Sequence, residues 1–245
     1  MSAYKANRLH VAWIQLLTGL YTIWYSLRII FVAYSSGDKR EKVTQLTRKW
    51  ARRVLGPTGL VTHVRGAENL IKGNATPTIV MCNHTSLYDV PVSFLALDSH
   101  IRMLAKKELY SIPILSSALR SGDFMAIDRR NIEQAKLDLK LAQEKLNSGI
   151  VVWIAPEGTR SKDGRLRPFK KGGFHLAIDT KANIVPVVIK GIQDILPSNS
   201  YDLTIHGEVE VVIGKAIDAS EYDKTDCNQL RDKTRNTMLA LLEEV

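Results

Sequence analysis

Short apolar runs alternate with stretches of helical periodicity along the chain from about residue 58 onwards. An apolar run of about four to eight residues between turn residues is typical of a buried strand, whereas apolar residues at a period of about 3.6 indicate a helix covering a core. The pattern predicts helices at residues 86–97, 131–147 and 222–243. It predicts strands at residues 61–65, 77–82, 101–105, 124–127, 150–154, 184–189, 201–206 and 208–213. The predicted fold class is therefore α/β, with a mixed sheet covered by helices.

The helix predicted at residues 131–147 carries a capping signal at each end. Asn131 and Gln134 are spaced as a capping box at its start, and Gly149 supplies a residue that readily ends a helix. The chain shows no internal repeat and no low-complexity segment. Residues 57–245 are therefore interpreted as a single α/β domain.

A different pattern runs from residue 11 to residue 34. Residues 11–27 contain no charged residue and Arg28 is the only charge before Tyr34, so a helix over residues 11–34 would extend about 36 Å, enough to cross a bilayer. One stripe of this helix is small or polar, and it is accompanied by aromatic rings suited to a headgroup region. The stripe comprises Gln15, Thr18, Gly19, Thr22 and Ser26, and the rings are those of Trp13, Tyr21, Trp24 and Tyr25. The sequence leaves open whether this helix spans the bilayer or only embeds in it.

A second helix is predicted after the turn "SSGDKR", ending at Gly56-Pro57. Its composition is typical of a helix that lies on an anionic membrane surface. The apolar face carries Val43, Leu46, Trp50 and Val54, and the basic residues beside it are Arg48, Lys49, Arg52 and Arg53. Residues 1–56 are therefore predicted to form a two-helix, monotopic membrane-binding motif. The alternatives are that both helices pack into a soluble core, or a cleaved signal peptide, which fits less well because no A-x-A-like site follows.

The charge balance narrows the choice of partners. Lysine and arginine outnumber aspartate and glutamate by 34 to 25, which favours anionic partners: acidic phospholipid, phosphorylated metabolites, an acidic carrier protein or nucleic acid. Basic residues after the first helix outnumber Lys5 and Arg8, so the positive-inside rule places the rest of the chain in the cytoplasm. The expected location is the inner (cytoplasmic) membrane. Cys82 and Cys227 match neither a disulfide framework nor a zinc spacing, which suits a reducing compartment.

The stretch "TIVMCNHTSLYDV", residues 78–90, runs a buried strand into a polar turn. His84 and Asp89 would lie about 140° apart on one helix, so the histidine is expected in the turn. Thr85 or Ser86 is expected to cap a helix whose first turns hold Asp89. From there the carboxylate could hold one imidazole nitrogen protonated and leave the other free to accept a proton, although a helix-capping histidine is the commoner explanation of such a pair. No serine or threonine stands in a triad context, which suggests that the nucleophile arrives with the substrate.

A second strand-to-turn stretch, "VVWIAPEGTR", occupies residues 151–160. Because ligands usually bind at strand ends of an α/β sheet, this turn is a candidate partner of the first one. Gly158 lets the backbone approach an anion closely, and the guanidinium fork of Arg160 can grip a phosphate. A surface salt bridge between Glu157 and Arg160 is the alternative interpretation.

Four stretches, in this order, resemble the glycerophospholipid acyltransferase family, and within it the bacterial 1-acylglycerol-3-phosphate acyltransferases. "NHTSLYD" is similar to the family's His-x4-Asp block, "GDFMAIDRR" (122–130) to its second block, "PEGTR" to its third and "IVPVVIK" (184–190) to its fourth. The resemblance continues through "KDGRLRPFKKGGFHLAI" and covers residues 60–215. Met125-Ala126 depart from the bulkier apolar residues expected before Asp128-Arg129, which bears on the fit of an acyl chain rather than on the chemistry.

The resemblance implies transfer of a fatty acyl group from acyl-CoA or acyl carrier protein to the sn-2 hydroxyl of 1-acylglycerol 3-phosphate (lysophosphatidic acid), giving phosphatidic acid. It implies that His84 acts as general base and that Asp89 orients it. By block position, the residues expected to contact the substrate are Arg129, Glu157, Gly158, Thr159 and Arg160, with Lys106 as a weaker candidate. No cofactor and no metal are expected. Another lysolipid or glycerol 3-phosphate could serve as acceptor instead.

Rival interpretations explain less of the sequence. Cys82, two residues before His84, could carry the acyl group covalently, although a buried small hydrophobe is its commoner role. A non-enzymatic module that binds membrane lipid would explain the predicted helices and the charge, but not a dyad beside a phosphate-gripping turn. Nucleic-acid binding would explain only the charge, since no aromatic-rich recognition module is present. Donor preference, acyl-chain length and oligomeric state are not readable from the sequence.

Overall fold

A computed structural model of the protein describes residues 2–70, 76–128, 130–198 and 200–244. A short strand, β1 (Tyr4–Lys5), precedes two long helices, α1 (Arg8–Val32) and α2 (Lys39–Leu55). The elements that follow are, in chain order, β2 (Val61–Arg65), β3 (Thr78–Cys82), α3 (Asp89–Ala96), β4 (Ile101–Lys106), α4 (Leu115–Ser121), β5 (Met125–Ile127), α5 (Ile132–Asn147), β6 (Val151–Ile154), α6 (Gly172–Thr180), β7 (Asn183–Lys190), α7 (Ile192–Ile195), β8 (Thr204–Ile205), β9 (Glu208–Ile213), β10 (Ile217–Asp218) and α8 (Cys227–Glu243). The predicted α/β fold class is confirmed.

The main sheet has the strand order β2-β9-β7-β3-β6-β4-β5, and β10 pairs with β7. Strands β7, β3, β6, β4 and β5 are mutually parallel, whereas β9 and β10 run antiparallel to β7. All five residues of β3 and all four of β6 are buried, as expected for central strands with helices on both faces. The carboxyl ends of these two neighbouring strands therefore meet at one edge of the sheet, where each continues into a turn.

Side-chain caps fix where several helices begin. The Asn7 side chain accepts a hydrogen bond from the amide of His10 at the start of α1, and Asp38 accepts one from Glu41 at the start of α2. Asn131 caps α5 as predicted, since its Oδ1 accepts from the amide of Gln134 at 3.1 Å. The Gln134 side chain, however, donates to Asp138 at 2.9 Å, so the reciprocal bond of the predicted capping box does not form.

Some predicted elements are shorter than the pattern indicated. The strand expected at 201–206 contains only β8, which pairs with β1 outside the main sheet, because exposed Tyr201 and Asp202 lie in a turn closed by the Ser200 hydroxyl. The helix expected at 222–243 begins only at Cys227, because Asp223 accepts hydrogen bonds from the amides of Thr225 and Asp226 in a turn. Helices α4 and α6 were not predicted.

Two apolar clusters cover opposite faces of the sheet. One joins inward side chains of α1, α2 and α3 to alternate residues of the central strands, among them Val80, Cys82 and Trp153. The other cluster joins α5, α6 and α8 to the strand residues that point to the opposite face, such as Met81 and Ile154. The two faces thus use alternate side chains of the same strands, as the period of a β-strand requires.

Helix α2 packs into the first of these clusters. Val43 and Leu46 are buried beside α1, and Ala51, Val54 and Leu55 are buried in the cluster that contains Val80 and Cys82. The apolar side of α2 that the sequence assigned to a membrane surface is therefore inside the protein. Residues 1–56 share a core with residues 57–245 and do not form a separately packed domain.

Candidate active site

The turn after β3 brings the predicted dyad together. His84 Nδ1 lies 2.7 Å from Asp89 Oδ2, and the Asp89 side chain is fully buried, whereas 18% of the His84 side-chain surface is exposed. His84 Nε2 makes no hydrogen bond to any residue that the structure describes. With the carboxylate accepting the Nδ1 proton, Nε2 carries a lone pair that no described residue engages. This is the arrangement of a general base held by a carboxylate.

Asp89 also organises the turn itself. Its Oδ2 accepts hydrogen bonds from the backbone amides of Thr85 and Ser86, both at 2.8 Å. Helix α3 begins at Asp89, three residues later than the predicted start at 86, and neither Thr85 nor Ser86 caps it. The prediction of a cap by these residues was wrong, because the carboxylate reaches back to satisfy the amides of the turn and Ser86 Oγ donates to the carbonyl of Leu196.

Neighbouring side chains fix the histidine from both sides. The Trp153 ring of β6 packs edge-on against the imidazole, with ring centroids 6.1 Å apart. Asn83, directly before the histidine, exchanges two hydrogen bonds with the backbone of Ile189 on β7, at 2.8 and 3.1 Å. Sequence reasoning assigned no role to Trp153 or Asn83; the only available signal was their position at the ends of predicted buried strands.

Glu157 joins the turn after β6 to the turn after β3. Its Oε1 accepts the backbone amide of His84 at 3.0 Å, and its Oε2 accepts that of Arg167 at 2.9 Å. The amide of Ser161 adds a second link by donating to the carbonyl of His84 at 2.7 Å. Burial raises the pKa of the Glu157 carboxyl above its ordinary value of 4.5, while the two amides oppose that shift. Both carboxylate oxygens are thus engaged within the protein, which points to a positioning role rather than the predicted contact with substrate.

The rest of the turn after β6 contains a glycine in a left-handed conformation and two side chains that are exposed or partly exposed. Gly158 adopts a φ of 73°, a conformation that L side chains rarely take, and Thr159 is exposed. The partly exposed Arg160 makes no ion pair or side-chain hydrogen bond with any residue in the described ranges. The alternative of a Glu157–Arg160 salt bridge is therefore not formed. Since no described residue binds the guanidinium, it is open to contact by a ligand.

The end of β4 and the second block are joined by an ion pair. Lys106, the last residue of β4, is exposed, and the neighbouring Lys107 lies 2.5 Å from Asp128 of the second block. The hydrogen bond from Lys107 holds the pKa of the Asp128 carboxyl below its usual range. Arg129, the predicted phosphate contact of this block, lies outside the described residues.

Cys82 is fully buried beneath the dyad. Burial, together with the nearby carboxylates of Asp89 and Glu157, raises the pKa of its thiol well above the ordinary value. A thiol that stays protonated is a poor nucleophile. The structure therefore disfavours the covalent acyl-cysteine route.

An apolar cavity of about 160 Å³ lies on the face of the sheet covered by α1 and α2. Val90, the residue after Asp89, lines it, as do Tyr25 of α1, Trp50 of α2, Phe94 of α3 and Phe124. Its walls are almost entirely apolar, so it suits a hydrocarbon chain. No group of three or more metal-ligating side chains occurs in the part of the chain that the structure describes.

An α/β sheet with a histidine–carboxylate pair at its strand ends, a guanidinium that no described residue binds and an apolar cavity fits an enzyme that handles an anionic molecule with a hydrocarbon chain. Residues 61–190 match the sequence model of the acyltransferase family. The chain belongs to this family, and the family assignment made from the four sequence blocks is confirmed.

Several relatives carry a more specific name. The chain is 34% identical over 177 residues to the chloroplast 1-acyl-sn-glycerol-3-phosphate acyltransferase BAT2 of Brassica napus, covering 72% of this chain and 51% of that protein. It is 33% identical over 191 residues to the 1-acyl-sn-glycerol-3-phosphate acyltransferase of Saccharomyces cerevisiae, covering 76% and 61%. The chain spans about half the length of the chloroplast relatives.

A solved structure is similar over nearly the whole chain. The crystal structure of the 1-acyl-sn-glycerophosphate (LPA) acyltransferase PlsC from Thermotoga maritima superposes with a TM-score of 0.81 and 26% sequence identity. The superposition covers 96% of this chain and 94% of that one. The paired amino-terminal helices therefore fall within the shared fold.

Proposed function

We propose that the protein transfers a fatty acyl group from a thioester donor to the sn-2 hydroxyl of 1-acylglycerol 3-phosphate, giving phosphatidic acid. The observation that carries this proposal is the His84–Asp89 pair, whose Nε2 is not engaged by any described residue and whose turn is linked through Glu157 to the turn that carries Arg160. The names of the relatives support lysophosphatidic acid as the acceptor. Acyl-CoA and acyl carrier protein are both suitable donors, since each presents the acyl group as a thioester.

In this mechanism His84 moves one proton twice. Nε2 accepts the proton of the acceptor hydroxyl while the hydroxyl oxygen forms a bond to the carbonyl carbon of the thioester. The resulting imidazolium is stabilised by Asp89, which lies 2.7 Å from Nδ1. When the carbon–sulfur bond breaks, the imidazolium donates its Nε2 proton to the departing thiolate and the base is restored. No cofactor is required for these steps.

Arg160 is proposed to hold the acceptor phosphate. A guanidinium can donate two parallel hydrogen bonds to a phosphate, and the fork of Arg160 is not engaged by any described residue. Gly158 and Thr159 lie on the same turn, and positive charge is proposed to come from Lys106 at the end of β4 and from Arg129 in the second block. Glu157 supports this site indirectly by fixing the backbone of His84.

Helix α1 is proposed to attach the protein to a membrane surface. It is long and apolar enough to cross a bilayer, and only 22% of its most apolar window is buried. One side packs on the protein through Val11, Ile14, Tyr25, Ile29 and Val32, whereas the other exposes Leu9, Trp13, Leu16, Leu20, Ile23, Trp24, Leu27 and Phe31. Helix α1 packs on the domain from its first turn to its last. If it crossed the bilayer, the domain would have to enter the membrane with it, so we propose that α1 embeds in one leaflet.

The basic residues of α2 are proposed to face lipid headgroups. Lys49, Arg52 and Arg53 are exposed although the apolar side of α2 is buried, so this helix would contribute charge rather than hydrophobic anchoring. A location at the cytoplasmic face of the inner membrane agrees with this distribution of charge. Such a location gives the active site access to a lipid acceptor and to a water-soluble donor.

An acceptor and donor panel tests the proposed reaction. Purified full-length protein is incubated in vesicles with lysophosphatidic acid, glycerol 3-phosphate or lysophosphatidylcholine, each with acyl-CoA or acyl carrier protein. We expect phosphatidic acid from lysophosphatidic acid with at least one donor, and at least tenfold lower kcat/KM for the other two acceptors, because one lacks the acyl chain and the other shields the phosphate. Preference for glycerol 3-phosphate would contradict the acceptor assignment, and lipid binding without turnover would favour a non-enzymatic module.

A further inference from the structure

Two exposed isoleucines flank the proline in the segment between β4 and α4. Ile112 and Ile114 expose 45% and 39% of their surfaces on either side of Pro113. We refer to residues 111–114 as the isoleucine loop. Large aliphatic side chains exposed in this way are unfavourable in water, and neither residue belongs to the proposed active site.

The backbone of Ile114 makes its exposure harder to explain by packing within the protein. Its φ of 65° and ψ of −54° are strongly disfavoured for a β-branched residue, whereas glycine would adopt them readily. The isoleucine side chain makes this backbone conformation unfavourable, and its exposure means that it gains little packing energy from neighbouring residues. Contacts within the protein therefore do not explain why an isoleucine is present here. A favourable contact outside the protein would account for both features.

The isoleucine loop is also held firmly. The carbonyl oxygens of Ile112, Pro113 and Ile114 accept hydrogen bonds from the amides of Ser116, Leu115 and Ala118 at 2.7 to 3.0 Å. Pro113 further restricts the extended backbone of Ile112. A rigid loop loses little conformational entropy when its side chains bind another phase.

The loop lies at the edge of the apolar cavity and beside α1. Leu109 and Leu115, immediately outside the loop on each side, both line the cavity. Helix α4 packs against α1, with Ala118 in contact with the cluster of Tyr25, Ile29 and Val32. The isoleucine loop therefore leads directly into an element packed on α1, the helix whose other side exposes Phe31 and further large apolar residues.

We propose that Ile112 and Ile114 form a second lipid-inserting element, which enters the acyl-chain region of the same leaflet as α1 and opens the edge of the cavity to the bilayer. Such an arrangement lets the hydrocarbon chain of a lipid substrate pass between bilayer and cavity without crossing water. This inference rests on the proposed membrane attachment through α1, and it adds a contact that α1 alone does not supply.

Fluorescence at the loop tests insertion without any need for turnover. The only native cysteines, Cys82 and Cys227, are buried, so an environment-sensitive dye on Ile112→Cys labels one position. We expect its emission to shift to shorter wavelength with vesicles of phosphatidylglycerol and phosphatidylethanolamine, and to be quenched by nitroxide groups on lipid chains. The matched control is Leu137→Cys on α5, across the sheet, where no shift is expected although the side chain exposes 58% of its surface. An unchanged spectrum at position 112, or equal shifts at both positions, would overturn the proposal.

Vesicle affinity supplies the second measurement. The Ile112→Gln/Ile114→Gly variant loses two half-exposed isoleucines from the proposed lipid contact. We expect its affinity for vesicles, measured by flotation, to fall roughly tenfold. Leu137→Gln/Leu141→Gln removes two exposed apolar side chains from α5 and should leave the affinity unchanged, whereas Leu16→Gln/Leu20→Gln on α1 should reduce it. Equal losses in the loop and α5 variants, or no loss in the loop variant, contradict the inference.

Stability and turnover separate the remaining explanations. Ile114→Gly relieves an unfavourable φ, so its melting temperature should equal or exceed that of the wild type; a clear fall would assign the side chain a packing role instead. Turnover is measured on the same samples. If the wild type forms no phosphatidic acid while the dye at position 112 still enters lipid, the proposed reaction fails and the insertion stands. If it forms phosphatidic acid while the dye stays in water, the insertion alone fails.

Discussion

The turn after β3 and the turn after β6 lie on neighbouring strands, yet they place their polar groups differently. In the turn after β3, the Asp89 carboxylate is fully buried and binds His84 together with the amides of Thr85 and Ser86. In the turn after β6, Thr159 is exposed and the Arg160 guanidinium has no partner in the described chain. Asp89 Oδ2 thus binds both the base and the backbone of the first turn, although the buried Thr85 Oγ1 and Asp89 Oδ1 have no hydrogen-bond partner among the described residues. The second turn instead presents a guanidinium that no described residue binds.

This difference matches two different tasks. Proton transfer requires that the base be held in one orientation before the substrate arrives, which the contacts of the first turn provide. Binding an anion requires donors that are still free, which the second turn provides. Substitutions in the first turn should therefore act mainly on kcat, and substitutions of the free groups in the second turn should act mainly on the KM of the acceptor.

Removal of the base gives the largest expected effect. His84→Ala should lower kcat by about 10² to 10⁴, because no other described residue takes the position of the lost imidazole. The fold should persist, since His84 lies in a turn and is partly exposed. Initial rates at saturating lysophosphatidic acid and donor measure the effect, and circular dichroism checks the fold.

The control is His63→Ala, which removes an exposed histidine from β2, remote from the dyad. It should leave kcat unchanged. If His84→Ala retained a tenth of the wild-type kcat, the role of general base would be wrong.

The first turn was the more predictable of the two from sequence. A histidine and an aspartate five residues apart after a buried apolar run led to the geometry in which the carboxylate reaches back to the imidazole. The tertiary contacts of that turn were not predictable, because Asn83 binds Ile189, about a hundred residues away in the chain, and Glu157 binds the amide of His84. Local pattern carries no information on which distant backbone groups a side chain will meet.

The two amino-terminal helices show the same limit. Each helix has an apolar side, and the sequence pattern assigned the apolar side of each one to a membrane. In the structure, α2 buries Val43, Ala51 and Val54 against the domain, whereas α1 leaves Trp13, Leu16 and Leu20 exposed. Periodicity locates an apolar side on each helix, but only the packing determines whether protein or another phase covers it.

Helix α6 escaped prediction for a related reason. It begins with Gly172 and Gly173, which have low helix propensity, and its nine residues are too few for a clear periodic signal. Burial of Phe174 and Ala177 against the sheet stabilises the helix in spite of that propensity.

A substitution in the second turn tests the other half of the comparison. Arg160→Lys keeps the charge but loses the planar fork, and a charge-assisted hydrogen bond contributes about 1.5 to 3 kcal/mol. We expect at least a tenfold loss in kcat/KM for lysophosphatidic acid, chiefly through KM, while the KM for acyl-CoA stays within a few-fold. Steady-state kinetics with each substrate varied in turn measure both constants.

Arg165→Lys, at an exposed position in the following loop, is the matched control and should change neither constant. Unchanged kinetics with lysophosphatidic acid together with a raised KM for acyl-CoA would instead assign Arg160 to the phosphates of the donor.

The smallest expected effect concerns Glu157, which belongs to the second turn by sequence but is bonded to the first. Burial raises the pKa of its carboxyl above 4.5, so the folded protein binds this proton more tightly than the unfolded chain does. The stabilisation from this group is therefore complete below pH 4.5 and declines as pH rises through the raised pKa. The amide side chain of the Glu157→Gln variant does not titrate. The free energy of unfolding of the wild type should therefore fall relative to that of the variant as the pH rises from 4 to 7.

Denaturant unfolding at each pH measures that difference, and Glu221→Gln, at an exposed position, controls for the loss of one negative charge. Because the amide group cannot accept hydrogen bonds from both His84 and Arg167, we also expect kcat to fall by roughly threefold to tenfold as the orientation of His84 loosens. A stability difference that instead moves towards the wild type with rising pH would mean that the two amide hydrogen bonds outweigh burial. In that case Glu157 would be held as a stable carboxylate, and the link between the two turns would be stronger at neutral pH than the raised pKa implies.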